Sequence, residues 1–282
     1  MTLDKNYIAD HIRQALKEDI GTGDYSSICC IDAAETNVAR LTAKQDGIIC
    51  GVEIAEMVFE QVDNTLRFTA FKHDGDRIKV GDVVFRVEGS ARAILAAERT
   101  ALNYIQRLSG IATQTAEYVT LIEGTDAKLL DTRKTTPTFR MMEKYAVAVG
   151  GGCNHRFGLY DMIMLKDNHV DFAGGIEKAI SQAYDFVKQN KTLKIEIEVR
   201  NFAELDKVLA IGHIDRIMLD NFSVKDLKRA VEIINHRYET EASGGITKQT
   251  IRSYAQTGVD FISVGALTHH IASLDLSLIA DK

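Results

Sequence analysis

The chain has 282 residues, 45% of them hydrophobic and 26% charged, which is the balance of a globular protein with a buried core and not of a disordered or fibrous one. No apolar run approaches the roughly 18 residues that a membrane-spanning helix needs. The 34 basic and 40 acidic side chains give a net charge of -6, which repels nucleic-acid backbones and anionic lipid. Composition and charge therefore argue against nucleic-acid and membrane partners.

The N-terminus and the cysteines predict a cytoplasmic protein with reduced thiols. Residues 1–19 mix acidic and basic side chains and lack the basic start and apolar stretch of a secretory signal. The 4 cysteines, at positions 29, 30, 50 and 153, form no CxxC pair and no spacing that would build a zinc site. We therefore expect a reducing compartment.

The first hundred residues predict a separate α+β domain. A helix over residues 7–17 is followed by the polar stretch EDIGTGDYSS and by strand-like runs, which are broken by the turn signals DGD at 74–76 and VGD at 80–82. A second helix, from residue 91 to about 108, carries the chain onward. We therefore predict an N-terminal domain over 1–108, onto which the C-terminal segment 268–282 can pack back.

From about residue 126 onward, short β-branched runs alternate with longer segments of helical spacing, which indicates repeated β-α units and a parallel sheet. The helical segments include an apolar stripe over 176–187 and a helix over 224–234 that begins behind Ser223 with the capping-box partner Asp226. Such strands either close into a barrel or stay open and doubly wound, and both arrangements bind ligands at the carboxyl ends of the strands. The predicted strands are 127–130, 162–165, 194–199, 216–219, 238–242 and 261–264.

Charged residues follow the predicted strands where each strand ends. The first strand runs into DTRKTTP at 131–137 and the second into KDNH at 166–169. Glu196 and Glu198 share one face of the third strand because side chains alternate along a strand, although one of them could simply be a charge at a sheet edge. The fourth strand ends at Asp220. Apolar strands that end in charged residues suggest a polar pocket at the strand ends, above an apolar core.

Glycines follow the last two predicted strands, in Ser243-Gly244-Gly245 and at Gly265. Glycines in these positions of a barrel let backbone N–H groups approach and cradle a phosphate. A Ser-Gly-Gly triplet by itself is typical of an ordinary turn. The combination with the charged strand ends is what favours a phosphate site.

Other motifs are ambiguous when each is taken alone. The pair Arg133-Lys134 is typical of a solvated surface. Cys153 lies two residues before His155, which leaves a thiol nucleophile as a weak alternative. The pair His269-His270 is compatible with a metal site, although a surface turn explains it more simply.

In either fold these residues would lie at the same edge of the sheet, called the rim here. Their basic and acidic side chains would lie on opposite sides of it. The cationic side would hold Arg133, Lys134, His155, Arg156 and Lys166, and the acidic side would hold Glu198 and Asp220. When a protein of negative net charge has its basic side chains clustered in one pocket, that pocket is suited to bind a strongly anionic small molecule, such as a ligand with two carboxylates. The two acids suit Mg²⁺, which prefers one or two carboxylates together with substrate phosphate.

Ordered motifs along nearly the whole chain resemble those of the quinolinate phosphoribosyltransferase family, also called nicotinate-nucleotide pyrophosphorylases. The resemblance starts at EDIGTGD (18–24) and AERTALN (97–103). It continues through DTRKTTP, GGGCNHRFGLYD (150–161), LKDNH (165–169), IEIEV (195–199), IMLDN (217–221), EASGGI (241–246) and VGALTH (264–269).

The resemblance implies a fold and an assembly. The expected fold is α/β, with an incomplete parallel α/β barrel over 109–267 and the N-terminal α+β sandwich domain. The family resemblance also implies a homodimer, with a hexamer built as a trimer of dimers as an alternative. In that dimer Arg99 would reach the active site of the partner subunit.

The resemblance also assigns roles to the rim residues. Four cations would hold the two carboxylates of quinolinate: Arg133, His155, Arg156 and Lys166. Lys134, next to Thr132, would lie between quinolinate and phosphoribosyl pyrophosphate, and Glu198 and Asp220 would face the ribose and Mg²⁺-pyrophosphate. The 5′-phosphate would bind along two segments: Ser243, Gly244 and Gly245, and Val264, Gly265 and Ala266.

The chemistry that the resemblance implies needs no organic cofactor. The pyridine nitrogen displaces pyrophosphate from the ribose, and the acids stabilise the positive charge that develops on the sugar. Mg²⁺ and Lys134 neutralise the leaving pyrophosphate. The quaternary nitrogen then accepts the electron pair left behind when the adjacent carboxylate departs as CO₂. The product is nicotinate mononucleotide, an intermediate of de novo NAD synthesis.

The departures from the family pattern are few. Thr138 stands where the family usually has glycine, which puts the shape of that turn in doubt, and His270 stands where serine is frequent. Cys153 occupies a position that tolerates small apolar residues.

Three alternatives stay open at this point. The first is a sister enzyme of the same fold, like the phosphoribosyltransferase-like proteins found with molybdenum transport, against which the intact HRFGLYD and LKDNH motifs argue. The second is a catalytically silent barrel that binds a phosphorylated metabolite, although Lys134, Glu198 and Asp220 together favour turnover. The third is a lipoyl-like carrier domain, which lacks a lysine at a clear hairpin tip.

Overall fold

A computed structural model describes residues 3–189 and 193–281 of the chain, so residues 1, 2 and 282 of the predicted N-terminal domain and C-terminal segment lie outside the described residues. The elements up to residue 121 are α1 (Lys5–Ile20), α2 (Tyr25–Cys30), β1 (Thr36–Ala43), β2 (Gly47–Ile48), α3 (Val52–Val62), β3 (Arg67–Ala70), β4 (Arg77–Ile78), β5 (Val83–Ser90) and α4 (Ala91–Leu121). The remaining elements are β6 (Lys128–Leu130), α5 (Arg140–Val149), β7 (Ile163–Leu165), α6 (Asp167–Ala173), α7 (Ile176–Gln189), β8 (Ile195–Val199), α8 (Phe202–Ile211), β9 (Arg216–Asp220), α9 (Val224–Ile234), β10 (Glu239–Ser243), α10 (Ile251–Ala255), β11 (Phe261–Ser263), α11 (Ala266–His269) and β12 (Leu276–Ala280).

The described chain divides into two compact units, and the first combines residues 3–116, 141–151 and 271–281. Its sheet has four antiparallel strands in the order β12-β1-β5-β3, so the last strand of the chain pairs with the first. The rings of Phe59, Phe68 and Phe85 pack together in its core, with centroids 4.5 to 6.0 Å apart. The predicted DGD and VGD turns are confirmed, because Gly75 and Gly81 both have positive φ.

The second unit combines residues 117–140 and 152–270 and contains a six-stranded parallel sheet. The strand order is β6-β11-β10-β9-β8-β7, so β6 and β7 are the two edges of the described sheet and the barrel is incomplete. All six predicted strands are confirmed to within one residue at each end. The α/β fold class is thereby confirmed.

The helix α9 begins at the predicted signal. Ser223 caps α9 by accepting a hydrogen bond from the N–H of Asp226 at 3.1 Å, and its hydroxyl donates to the Asp226 carboxylate at 2.7 Å. None of the helices within residues 3–189 and 193–281 is both long and apolar enough to cross a membrane.

Two expectations need correction. The helix predicted to end at about residue 108 continues to Leu121. Within this helix, a Cβ at Gly110 would collide with the carbonyl oxygen of Ala272 in the same unit, so glycine lets the C-terminal segment approach the helix closely. No helix was predicted over 25–30, where α2 forms behind Asp24, whose carboxylate accepts from the N–H of Ser27 at 3.2 Å.

Candidate active site

A pocket of about 270 Å³ opens at the carboxyl ends of the parallel strands in the second unit. Nine of the predicted site residues line it: the seven of the rim, together with Thr132 and Ser243, which the family resemblance assigned. They are Thr132, Arg133, Lys134, His155, Arg156, Lys166, Glu198, Asp220 and Ser243. The pocket therefore joins the predicted cations and the predicted acids in one cavity.

Two neighbouring guanidinium groups, those of Arg133 and Arg156, belong to the cationic wall. The Nε atom of Arg133 is buried and has no hydrogen-bond partner among the described residues. Arg156 is 8% exposed, and its Nη1 donates to the carbonyl oxygen of Met162 at 3.1 Å. Burial and the neighbouring charge of Arg133 lower the pKa of Arg156. Two adjacent cations, one with an unused buried N–H, favour an anionic ligand between them.

Asp131 holds the cationic wall in place from the end of β6. Its side chain is fully buried, and its two carboxylate oxygens accept from the N–H of His155 at 2.8 Å and from the side-chain amide of Asn154 at 2.7 Å. The main chain of Cys153 also hydrogen-bonds with this strand, accepting from the N–H of Asp131 at 3.1 Å. Asp131 was not among the predicted site residues, although a charged residue directly after an apolar strand was the signal that could have found it.

The acidic wall is formed by Glu198 and Asp220, on the neighbouring strands β8 and β9. Burial and the nearby charge of Asp220 raise the pKa of Glu198, and Lys166 opposes this effect. The Lys166 ammonium lies 4.0 Å from Glu198. The two carboxyl groups therefore lie together on one side of the pocket, where they would stabilise a divalent cation or a developing positive charge.

Lys134 lies where the two walls approach the glycine segments. Its N–H donates to the hydroxyl of Thr132 at 3.0 Å, and its carbonyl oxygen accepts from the hydroxyl of Thr268 at 2.8 Å. A Cβ at Gly265 would lie 3.1 Å from the aliphatic chain of Lys134 and 2.8 Å from the ring of His269. Glycine at this position thus leaves room for Lys134.

Six predicted residues lie outside the pocket lining: Arg99, Gly244, Gly245, Val264, Gly265 and Ala266. Arg99 is exposed on α4, in the part of that helix that belongs to the first unit. Gly244 has a φ of 100°, and a Cβ there would collide with the side chain of Asn221, so the turn after β10 requires glycine.

Four lining residues were missed in the sequence: Met164, Met218, Glu241 and Ser263. Each is the inward residue one period below a predicted site position, two residues before Lys166, Asp220, Ser243 and Gly265 respectively. Strand alternation could have found them, because residues i and i−2 face the same side of a sheet.

Buried charges continue beneath the pocket, inside the sheet. The Nε2 atom of His155 lies 3.0 Å from Glu196 and 3.5 Å from Glu241. One side-chain nitrogen or oxygen atom from each of the three residues lies within 4.8 Å of the other two. Arg216 donates to Glu241 at 3.0 Å and stacks over the Phe261 ring at 4.0 Å. We name His155, Glu196, Glu241 and Arg216 the interior cluster. The sheet-edge interpretation of Glu196 is wrong, because β8 has neighbours on both sides and Glu196 is fully buried.

The fold and the pocket together define an α/β-barrel protein with a site for an anionic small molecule. Comparison with known proteins identifies the family. The model of the quinolinate phosphoribosyl transferase N-terminal domain matches residues 24–109, and that of the C-terminal domain matches residues 111–279. The chain belongs to the quinolinate phosphoribosyltransferase family.

Individual relatives cover nearly the whole chain. A quinolinate phosphoribosyltransferase [decarboxylating] 2a, mitochondrial, of Nicotiana tabacum is 44% identical over 95% of this chain and 80% of its own length. A probable nicotinate-nucleotide pyrophosphorylase [carboxylating] of Bacillus subtilis is 43% identical over 93% of this chain and 89% of its own. The solved nicotinate-nucleotide pyrophosphorylase from Francisella tularensis has a TM-score of 0.94 at 42% identity, covering 99% of this chain and 98% of its own.

Proposed function

We propose that this protein transfers the phosphoribosyl group of phosphoribosyl pyrophosphate to quinolinate with loss of CO₂, which yields nicotinate mononucleotide and pyrophosphate for NAD synthesis. Membership of the family supports the same reaction.

The cationic wall recognises the two carboxylates of quinolinate. Arg133 and Arg156 offer planar forks of N–H groups, which suit carboxylates, and Lys166 adds a mobile ammonium. His155 completes this wall, and Asp131 fixes its backbone. A ligand with only one carboxylate leaves part of this wall unpaired in a buried site, which costs binding free energy.

The acidic wall stabilises the sugar while its bond to pyrophosphate breaks. Positive charge develops on the ribose ring as pyrophosphate leaves, and Glu198 and Asp220 lie where it would be stabilised electrostatically. Lys134 neutralises charge on the leaving pyrophosphate, and the 5′-phosphate binds at the turns of 243–245 and 264–266. The pyridine nitrogen forms the new bond and then draws electrons from the departing carboxylate.

Glu198 and Asp220 fit a magnesium site. Burial and the charge of Asp220 raise the pKa of Glu198, and a divalent cation between the two carboxylates would offset their repulsion. The two residues would hold Mg²⁺ through carboxylate oxygens. When bound, Mg²⁺ supplies Lewis-acid neutralisation of the pyrophosphate.

The active unit is proposed to be a homodimer in the cytoplasm. The exposed position of Arg99 on α4 leaves it available to a second copy of the chain. Leu159, Tyr160 and Phe172 are 72%, 73% and 89% exposed in the second unit, and apolar groups of this size favour a covered surface. Four free cysteines suit a reducing compartment.

One assay tests the reaction. The purified protein is incubated with quinolinate, phosphoribosyl pyrophosphate and Mg²⁺, and nicotinate mononucleotide and CO₂ are measured. Both products are expected in equal amounts. Replacing quinolinate by nicotinate is the matched control and should give no product, because one carboxylate is missing. Equal turnover of both acids would refute the recognition of a diacid.

A further inference from the structure

Glu241 lies on the floor of the pocket as a fully buried acid with one unused oxygen. It lines the cavity from β10, two residues below Ser243. Its Oε2 accepts from Arg216 at 3.0 Å and lies 3.5 Å from His155 Nε2. Its Oε1 is buried and makes no hydrogen bond of ordinary geometry with the described residues, although the side chains of Ser263 and Glu196 lie close enough to influence the carboxyl group. A buried oxygen of this kind, next to a ligand cavity, indicates a group that acts on the ligand.

The surroundings keep Glu241 protonated near neutral pH. Burial raises the pKa of Glu241 to about 8, and the neighbouring carboxylate of Glu196 adds to the shift, while His155 and Arg216 oppose it. The Glu241 side chain is therefore a carboxylic acid at neutral pH and can donate a proton.

Hydrogen bonds decide which oxygen of Glu241 carries the proton. The Nδ1 atom of His155 accepts from the N–H of Arg156 at 2.7 Å, so its ring proton is on Nε2, which faces the two glutamates. Oε2 of Glu241 thus faces N–H donors from His155 and Arg216. Because both N–H donors face Oε2, the acid proton is left on Oε1, with Glu196 and Ser263 as the nearby polar side chains.

The proposed reaction needs a proton at one ring carbon. When CO₂ leaves, the electron pair of the broken bond stays on the carbon next to the pyridine nitrogen, and that carbon must be protonated to give nicotinate mononucleotide. Arginine does not give up its proton in proteins. Glu241, in contrast, is an acid within 3.5 Å of His155, which belongs to the wall that holds the carboxylates. The departing carboxylate therefore leaves its ring carbon close to Glu241.

We propose that Glu241 is the general acid that protonates the ring carbon from which CO₂ departs, an inference that rests on the proposed function. The bond between the ring carbon and the carboxylate breaks, and its electrons stay on the ring. The O–H bond of Glu241 then breaks, its proton forms the new C–H bond, and Glu241 is left as a carboxylate. Arg216 and His155 stabilise this carboxylate through N–H groups until water returns a proton.

Glu241→Gln tests the step because glutamine keeps the shape but has no acidic proton. Phosphoribosyl transfer releases pyrophosphate before the proton is needed. Rapid quenching should therefore find pyrophosphate and the undecarboxylated quinolinate mononucleotide ahead of nicotinate mononucleotide. We expect kcat to fall by about 100-fold or more, the usual range for losing a general acid, while the KM for quinolinate changes by less than about threefold.

The pH profile supplies a readout that a merely structural role would not change. Wild-type kcat should fall as the pH rises above about 8, where Glu241 loses its proton. E241Q should lack this basic limb. Glu241→Asp keeps an acid at a shorter reach and should retain the limb with a kcat lowered by about tenfold, which separates loss of the acid from misfolding.

Glu239→Gln is the matched control. Glu239 lies on the same strand and binds the same Arg216 through two contacts of 3.0 and 3.1 Å, but it does not line the pocket. The kcat of E239Q should stay near that of the wild type. The inference is overturned if E241Q retains wild-type kcat, if it loses pyrophosphate release and nicotinate mononucleotide formation together, or if E239Q is equally impaired. Absence of any product from the wild type would instead refute the proposed function.

Discussion

Replacing Glu241 by glutamine should change how the stability of this protein depends on pH. The pKa of Glu241 is raised from 4.5 to about 8 in the folded chain, chiefly by burial. Between these two values the folded state keeps a proton that the unfolded state releases. Stability that depends on this proton is therefore complete below about pH 4.5 and is lost as the pH rises through about 8. Glutamine carries no such proton.

The size of the effect follows from the interval between the two pKa values. The interval is about 3.5 pH units, and each unit corresponds to about 1.36 kcal/mol, which gives an upper limit of about 5 kcal/mol. Structural relaxation and water penetration reduce the cost of a buried charge, so a measured change of about 2–4 kcal/mol is expected. The sign is fixed: the wild type loses stability relative to E241Q as the pH rises.

Urea unfolding followed by circular dichroism between about pH 5 and about pH 8 measures the difference. The free energy of unfolding of the wild type minus that of E241Q should decrease steadily over this range. Glu239 binds the same guanidinium but is 37% exposed, so E239Q should leave the slope unchanged. A difference between wild type and E241Q that stays constant with pH would refute the raised pKa and the burial argument behind it.

Three further changes should have separable effects. Arg133→Ala should raise the KM for quinolinate by about 10- to 100-fold and leave that for phosphoribosyl pyrophosphate nearly unchanged, because it removes a charged donor from the diacid wall; equal changes in both would contradict the assignment. Arg216→Met should cost about 3–5 kcal/mol of unfolding free energy by urea titration, because it strands buried acids, whereas Arg200→Met in an exposed pair should cost less than about 1 kcal/mol. Thr138→Gly should raise Tm by about 2–4 °C, because Thr138 has a φ of 62° that a β-branched residue adopts only with strain; an unchanged or lower Tm in calorimetry would show that the strain is small.

Strand positions could be predicted from the sequence because each strand is a short apolar run bounded by charge. The register then placed Asp220 beside Ser243 on neighbouring strands, as parallel pairing of apolar runs requires. Residues at and after the carboxyl ends of such strands meet at one edge of the sheet, which is why the seven charged rim residues could be expected to share one pocket.

The interior cluster could not be predicted in the same way. Alternation shows that Glu196 and Glu198 face the same side, but it does not show that Glu196 is fully buried while Glu198 borders the cavity. The partners that make burial tolerable are distant in sequence, since Arg216 pairs with Glu241 and His155 contacts both acids. Only the folded sheet joins them.

The same burial that makes Glu241 costly for stability is what makes it useful as an acid. Burial and the charge of Asp220 raise the pKa of Glu198, but Glu198 borders the cavity and the nearby Lys166 ammonium opposes this shift, whereas Glu241 lies deeper and keeps a proton near neutral pH. Two glutamates with different environments can therefore serve opposite needs, because one stabilises positive charge on a sugar and the other supplies a proton to a ring carbon. If solvent reached both residues equally, both would be ionised at neutral pH and the proton for the final step would have to come from water. Glu241 lies two residues below the rim on its strand, and this depth is what gives it a different chemical role from Glu198.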